Sequence, residues 1–205
     1  HRGHAVTARA AFHSALDAAR DWHAALPAMA AFTDWPDDLR YAARAPVSRP
    51  VLPLMARDPG HASPQSARLQ AALLAAAPHA EWRLTYTEEE VGRDFLNRFA
   101  WFELAGPDGH FVTDQCRITV AYWGRNLFYA RHWHEPEELY TVVSGSGTFM
   151  VDNQPDLILG PGDTRLHLSN QPHALRTQDD PILVLVVWRG AGLADDPRMV
   201  PEDAS

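Results

Sequence analysis

Between residues 99 and 190 the chain breaks into short β-type runs, at 100–104, 117–123, 127–131, 138–143, 147–151, 157–159, 164–168 and 182–188. Turn-forming clusters separate them: Gly106-Pro107-Asp108-Gly109, Ser144-Gly145-Ser146-Gly147, Asp152-Asn153-Gln154-Pro155 and Gly160-Pro161-Gly162-Asp163. Many short strands at close spacing make an all-β sandwich or barrel, and no heptad, Gly-rich phosphate loop or low-complexity tract competes with that reading.

The first 80 or so residues are of another kind, rich in alanine. Phe12, Leu16, Ala19, His23 and Leu26 recur at helical spacing before Pro27, which predicts one amphipathic helix. A second is predicted from the Ser63-Pro64 cap through Leu69, Leu73 and Leu74 to Pro78. Between them, residues 33–62 are proline-rich and read as irregular wrapping. With 205 residues, 46% of them hydrophobic, the chain suits one globular domain with a sizeable core and at most a small appended subdomain. A net charge of -8 provides no basic stripe for phosphates, so nucleic acid and anionic membrane are not expected partners and a small molecule is. No apolar run of about 18 residues predicts a membrane span. No charged-then-apolar leader opens the chain, and a cytoplasmic location is expected, although a start at His1 leaves open whether a leader precedes it. The single cysteine, Cys116, has no disulfide partner in the chain and reads as a small buried apolar residue.

Chemistry concentrates at His132-Trp133-His134-Glu135-Pro136-Glu137-Glu138-Leu139-Tyr140, with Gly145 beyond: His-x-His-x3-Glu-x6-Gly. At this chain's own residue frequencies the pattern is expected on the order of 0.001 times by chance, so chance is a poor explanation. Alternate strand residues share a face, which lets His132 and His134 point inward together and puts Glu138 on one face with Tyr140. The corner at residues 135–137 would aim the two segments at one ion. Imidazole and carboxylate suit a divalent transition ion with an open position, and Tyr140 adds an acid or base. A fourth ligand belongs on a separate strand. His173, in Pro172-His173-Ala174-Leu175 at the start of an inner strand, is preferred to His167, which reads as alternating with the core leucines 166 and 168.

These residues resemble the cupin superfamily, whose first motif combines His-x-His, a Glu and a later Gly and whose second supplies another His. The resemblance covers roughly residues 99–190 and implies a mainly β fold, a double-stranded β-helix or jelly roll with a metal in its mouth. Residues 1–98 would then be a helical and irregular region packed on the barrel, and 191–205 a C-terminal tail. Gly124 stands farther from His132 than the family pattern has it, and Leu168, Asn170 and Thr177 stand where the second motif has Pro, Gly and Asn. Within the superfamily the chain is similar to the cupin-type dimethylsulfoniopropionate (DMSP) lyases, which share the helical N-terminal part, His-x-His-x3-Glu-x-Tyr and a tyrosine three residues before the first histidine, here Tyr129.

That likeness implies one divalent ion (Zn, Mn or Fe) on His132, His134, Glu138 and His173, a catalytic Tyr140 and a supporting Tyr129. The implied reaction is β-elimination of DMSP to dimethyl sulfide and acrylate. Tyr140 as tyrosinate would be the base, with His134 or an unliganded histidine as the alternative. Aromatic faces attract a sulfonium cation, and Tyr122, Trp123, Tyr129 and Trp188 are the candidates to surround it, whereas strand alternation turns Trp133 away. The competing readings are a cupin dioxygenase or sugar isomerase and a non-catalytic ligand-binding cupin. A homodimer is compatible with the chain. Glu88-Glu89-Glu90 after Thr87 reads as a helix start, Asp179-Asp180-Pro181 as a turn, and His1, His4 and His13 as part of an N-terminal helix or tail.

Overall fold

The computed structural model describes residues 6–202; His1 and His4 lie outside them. Its helices are α1 (Ala8–Ala25), α2 (Pro27–Phe32), α3 (Val51–Arg57), α4 (Ala67–Ala76), α5 (Glu88–Val91) and α6 (Arg93–Arg98). The strands are β1 (Arg40–Tyr41), β2 (Phe99–Gly106), β3 (Phe111–Val112), β4 (Arg117–Trp123), β5 (Phe128–Trp133) and β6 (Glu137–Gly145), then β7 (Gly147–Val151), β8 (Leu157–Leu159), β9 (Thr164–His167), β10 (His173–Arg176), β11 (Ile182–Arg189) and β12 (Arg198–Met199). They form a seven-stranded sheet, β1-β3-β2-β4-β11-β6-β9, facing a five-stranded one, β12-β5-β10-β7-β8. Every pairing is antiparallel except β2 with β3. This is the jelly roll preceded by helices. No helix among the described residues is long and apolar enough to cross a membrane.

Two cores result, and the seven-stranded sheet separates them. On β11, Leu183, Leu185 and Val187 face the helices with Phe102, Ile118 and Val120, while Val184, Val186 and Trp188 face the space between the sheets. A strand covered on both faces reads as an unbroken apolar run, which is why 182–188 shows no alternation in the sequence. Against the outer face lies α1, whose Ala11, Phe12, Ala15, Ala19 and Trp22 form a buried stripe packed with Leu69 and Leu73 of α4. His13 lies outside that stripe, among the rings of Tyr41 and Phe111. Cys116 is buried, and burial pushes its thiol up to about 12. Thr87 and Glu90 close a capping box on α5, as the triple-glutamate run predicts.

Three local expectations are corrected. Pro53 lies in the first turn of α3, where no intrahelical amide is lost, so residues 33–62 contain a helix that buries Val51 and Met55. The helix expected from Ser63-Pro64 starts at Ala67, because Ser63 and Ser66 exchange side-chain and backbone hydrogen bonds and form a turn first. Residues beyond 190 are not a plain tail: Met199 pairs with His132 and Arg198 with Trp133 through β12. Gly145, the last position of the motif, has φ +75°, and a Cβ there would lie 1.7 Å from the Pro181 carbonyl oxygen, so only glycine fits between β6 and β11.

Candidate metal centre

His132 is the penultimate residue of β5, with its backbone opposite His173 of β10. Along that pair the register slips: His173 faces His132, but Leu175 faces Tyr129, so β5 holds one residue more than its partner. That bulge is why Tyr129 and His132, three apart and hence on opposite faces of a regular strand, are both buried on the inner side, while Ala130 and Arg131 are exposed. Their rings stack with centroids 3.7 Å apart. On β6, Glu138 and Tyr140 share the inward face, and Glu138 lies opposite His167 on one side and Trp188 on the other.

The Glu138 carboxylate is the hub. His134 Nε2 is 3.2 Å from Oε2, His173 Nε2 is 3.2 Å from Oε1, and His167 Nδ1 is 2.7 Å from Oε1. The Trp188 indole N–H donates to Oε2. His134, Glu138 and His173 bring one ligand atom each within 4.8 Å of one another, all buried. The other ring nitrogens explain how the rings are aimed. Nδ1 of His132, His134 and His173 lies 2.8, 2.9 and 2.8 Å from the carbonyl oxygens of Ala130, Pro136 and Gln171. A carbonyl only accepts, so each Nδ1 carries the proton and each Nε2 keeps a lone pair for a metal. His134 Nε2 and His173 Nε2 are buried with no hydrogen-bond partner. Orphaned buried acceptors around a buried carboxylate fit a divalent cation, which would satisfy them together.

His167 differs from these three. It points Nδ1 at Glu138, leaving its own buried Nε2 without a partner, and its ring stacks on His173 at 3.7 Å. Leu166 and Leu168 beside it are exposed, so its expected alternation with core leucines is corrected: the leucines face out and the histidine faces the carboxylate.

Electrostatics agree with a cation site. Burial, reinforced by His173, holds His132 well below the ordinary imidazole value, and burial takes His167 down to about 3. Burial also acts to lower His134, but the facing Glu138 carboxylate overcomes it and leaves that imidazole raised. For Glu138, burial would raise the carboxyl, yet the surrounding histidines, His134 first, hold it well below the usual carboxylate range. Tyr140 and Tyr129 are raised well above the ordinary phenol, chiefly by burial.

A cavity of about 50 Å³ opens beside Glu138, lined also by Tyr129, Tyr140, Trp123, Trp188, Trp101 and Arg117. The Tyr140 hydroxyl makes no hydrogen bond to any described residue. Arg117 lies between the rings of Trp101 and Trp188, 4.9 and 4.7 Å from their centroids, pairs with buried Glu103, and donates to the carbonyls of Leu193 and Asp195.

The structure therefore brings together His134, Glu138, His173, Tyr129, Tyr140, Trp123 and Trp188, with Trp188 holding the carboxylate as well as lining the cavity, while His132 stands outside the three-ligand group with its ring centroid 4.2 Å from that of His173. The structure does not bring in Tyr122. Thr119, Ala121 and Trp123 of β4 face the cavity, so Tyr122 faces the helices, where its hydroxyl donates to the Asp58 carbonyl at 2.6 Å. Sequence reasoning missed Tyr86, whose hydroxyl lies 2.5 Å from that of Tyr129 across 43 residues of chain. The alternation Trp82, Leu84, Tyr86 was the available signal of an extended segment.

The dimethylsulfoniopropionate lyase family model matches residues 20–184. The dimethylsulfoniopropionate lyase DddQ of Ruegeria pomeroyi is 39% identical over 180 residues, covering 88% of this chain and 90% of that protein. A chain from the crystal structures of the DMSP lyases RdDddP and RnDddQII superposes with TM-score 0.94 at 62% identity, over 95% of this chain and 100% of that one. The crystal structure of DddQ from Ruegeria pomeroyi superposes with TM-score 0.90 at 37% identity, over 95% and 98%. Matched along most of its length in both sequence and fold, the chain belongs to the dimethylsulfoniopropionate lyase family.

Proposed function

We propose that this chain is a metal-dependent lyase that cleaves DMSP to dimethyl sulfide and acrylate, with Tyr140 as the base. The observation that carries the assignment of the base is the Tyr140 hydroxyl, bonded to no described residue and lining the same cavity as Glu138 and Tyr129. The ring is buried while the hydroxyl opens onto the cavity, where a substrate rather than a protein group can meet it.

His132, His134, Glu138 and His173 would hold one divalent ion; mixed imidazole and carboxylate donors accept zinc, manganese or iron. When bound, the ion supplies a Lewis acid for the substrate carboxylate and positive charge that lowers the Tyr140 phenol. Tyr140 then takes the proton from the carbon next to the carboxylate. The C–H electron pair becomes the C=C bond of acrylate, and the C–S pair leaves with sulfur as neutral dimethyl sulfide. Trp123, Trp188 and Phe99 line the cavity and would surround the sulfonium with aromatic surface, a contact worth about 0.5–2 kcal/mol per ring once water is excluded. Tyr129, in the same lining, supports the substrate. A cytoplasmic location, consistent with a chain whose single cysteine is buried, completes the reading, and a homodimer is compatible with it.

Headspace detection of dimethyl sulfide tests the proposal, using metal-loaded protein, chelated protein and His134→Ala with DMSP. Sulfide is expected from the first alone. None from protein loaded in turn with Zn, Mn, Fe, Co and Ni would overturn it.

A further inference from the structure

Tyr86 lies outside the barrel in sequence, yet its ring enters the barrel mouth. Its backbone is pinned from both sides. Arg83 exchanges two backbone hydrogen bonds with Trp101 of β2, at 2.7 and 3.2 Å, and the Trp101 indole donates to Thr85 Oγ1 at 2.8 Å. Immediately after Tyr86, Thr87 and Glu90 lock the chain in the capping box of α5. Between these two anchors the ring meets that of Tyr129 edge-on, at 5.6 Å and 82°, and the two hydroxyls are bonded at 2.5 Å.

Apolar packing accounts for the rings but not for the oxygens. Both residues are buried, at 6% and 4% exposure, and phenylalanine would fill either place without two hydroxyls to satisfy. Neither hydroxyl has another hydrogen-bond partner among the described residues. Two phenols sharing one hydrogen bond use one proton between them and leave one over. If Tyr129 donated, the leftover proton would belong to Tyr86 and have no acceptor. With Tyr86 donating, the leftover proton is that of Tyr129, which lines the cavity beside Glu138 and Tyr140.

We propose that Tyr86 is a positioning residue for the elimination: by donating to the Tyr129 hydroxyl it turns the Tyr129 O–H into the cavity, toward the carboxylate of bound DMSP. The inference rests on the lyase reading above and extends it, because the segment at residues 82–87 then supplies a working group that the barrel alone lacks. Tyr129 is held by Tyr86 at its hydroxyl and by the stacked His132 on its face, so its ring has little freedom to turn.

The test is a double-mutant cycle on metal-loaded protein with DMSP as substrate, comparing wild type, Tyr86→Phe, Tyr129→Phe and the double variant, with thermal midpoints alongside. Tyr86→Phe is expected to lower kcat about five- to tenfold with little change in KM, the range for one neutral hydrogen bond. The double variant should match Tyr129→Phe alone. Equal losses from Tyr86→Phe with and without the Tyr129 hydroxyl, or no loss in the wild-type background, would overturn the proposal. A measurement independent of turnover and of the Tyr86 variant is proton NMR of the wild type. A slowly exchanging low-field phenolic proton is expected and should vanish in Tyr129→Phe, and its absence from the wild type refutes the bonded pair. Wild-type turnover tests the lyase reading itself, so the two can fail separately.

Discussion

Replacing Tyr140 with phenylalanine removes one oxygen and keeps the ring in its contacts with Trp123, Phe149 and His167. Because that oxygen bonds to no described residue, the folded state loses no protein hydrogen bond. The unfolding free energy should therefore stay within about 0.5 kcal/mol of wild type. Tyr129→Phe, which breaks the bond to Tyr86, should cost about 1 kcal/mol. Activity should respond in the opposite order. A general base contributes at least about 100-fold, so Tyr140→Phe should lower kcat by that factor or more, equivalent to about 2.7 kcal/mol of barrier. The assay is dimethyl sulfide release under saturating DMSP, with metal content measured on the same preparation and stability by urea titration. A variant that keeps its metal and more than about a tenth of wild-type kcat would show that the proton goes elsewhere, and would favour a dioxygenase or isomerase reading in which no base is needed at this position. A variant that loses activity and stability together would show that the hydroxyl is structural.

Other outcomes follow from the same geometry. Tyr122→Phe should lower unfolding free energy by about 1 kcal/mol through loss of the bond to Asp58 while leaving DMSP turnover within about twofold, and a larger loss of turnover would put Tyr122 back in the site. Trp188→Phe, deleting the N–H that holds Glu138, should weaken metal binding about 10- to 100-fold in a chelator competition; unchanged affinity would show that this bond does not fix the ligand. The facing Glu138 carboxylate raises the His134 imidazole, so as pH falls a proton on its Nε2 should compete with the ion and metal affinity should drop. Chelator competition repeated across pH measures this, and an affinity that does not fall as pH falls would contradict it.

The barrel strands were legible because period-two patterning and turn clusters are local, and 147–151 and 157–159 match β7 and β8 residue for residue. The histidine and glutamate cluster was legible for the same reason, since a short run carries most of it. What stayed hidden depends on contacts distant in sequence. The extra residue in β5 that brings Tyr129 to the side of His132 is visible only against β10. Tyr122 and Trp123 are adjacent aromatics on a strand buried on both faces, so neither hydropathy nor alternation says which one faces the cavity. His167 sits between two leucines, and only the pairing of β9 with β6 shows that the leucines face outward. The proline content of residues 33–62 concealed α3, because Pro53 falls in a first turn, the one part of a helix where proline is tolerated.

The three Nδ1–carbonyl bonds each close within two residues of the histidine they orient, so the proposed ligand rings are aimed by the local path of the chain. The protein thus folds with its socket already shaped, and little side-chain freedom remains to be lost when an ion arrives. Stripping the metal should leave the barrel intact and reloadable, unlike a zinc finger, whose fold disappears with its ion. For a site whose donors accept several metals, a standing socket means that whichever ion is abundant and exchangeable where the protein resides decides which form of the enzyme is present.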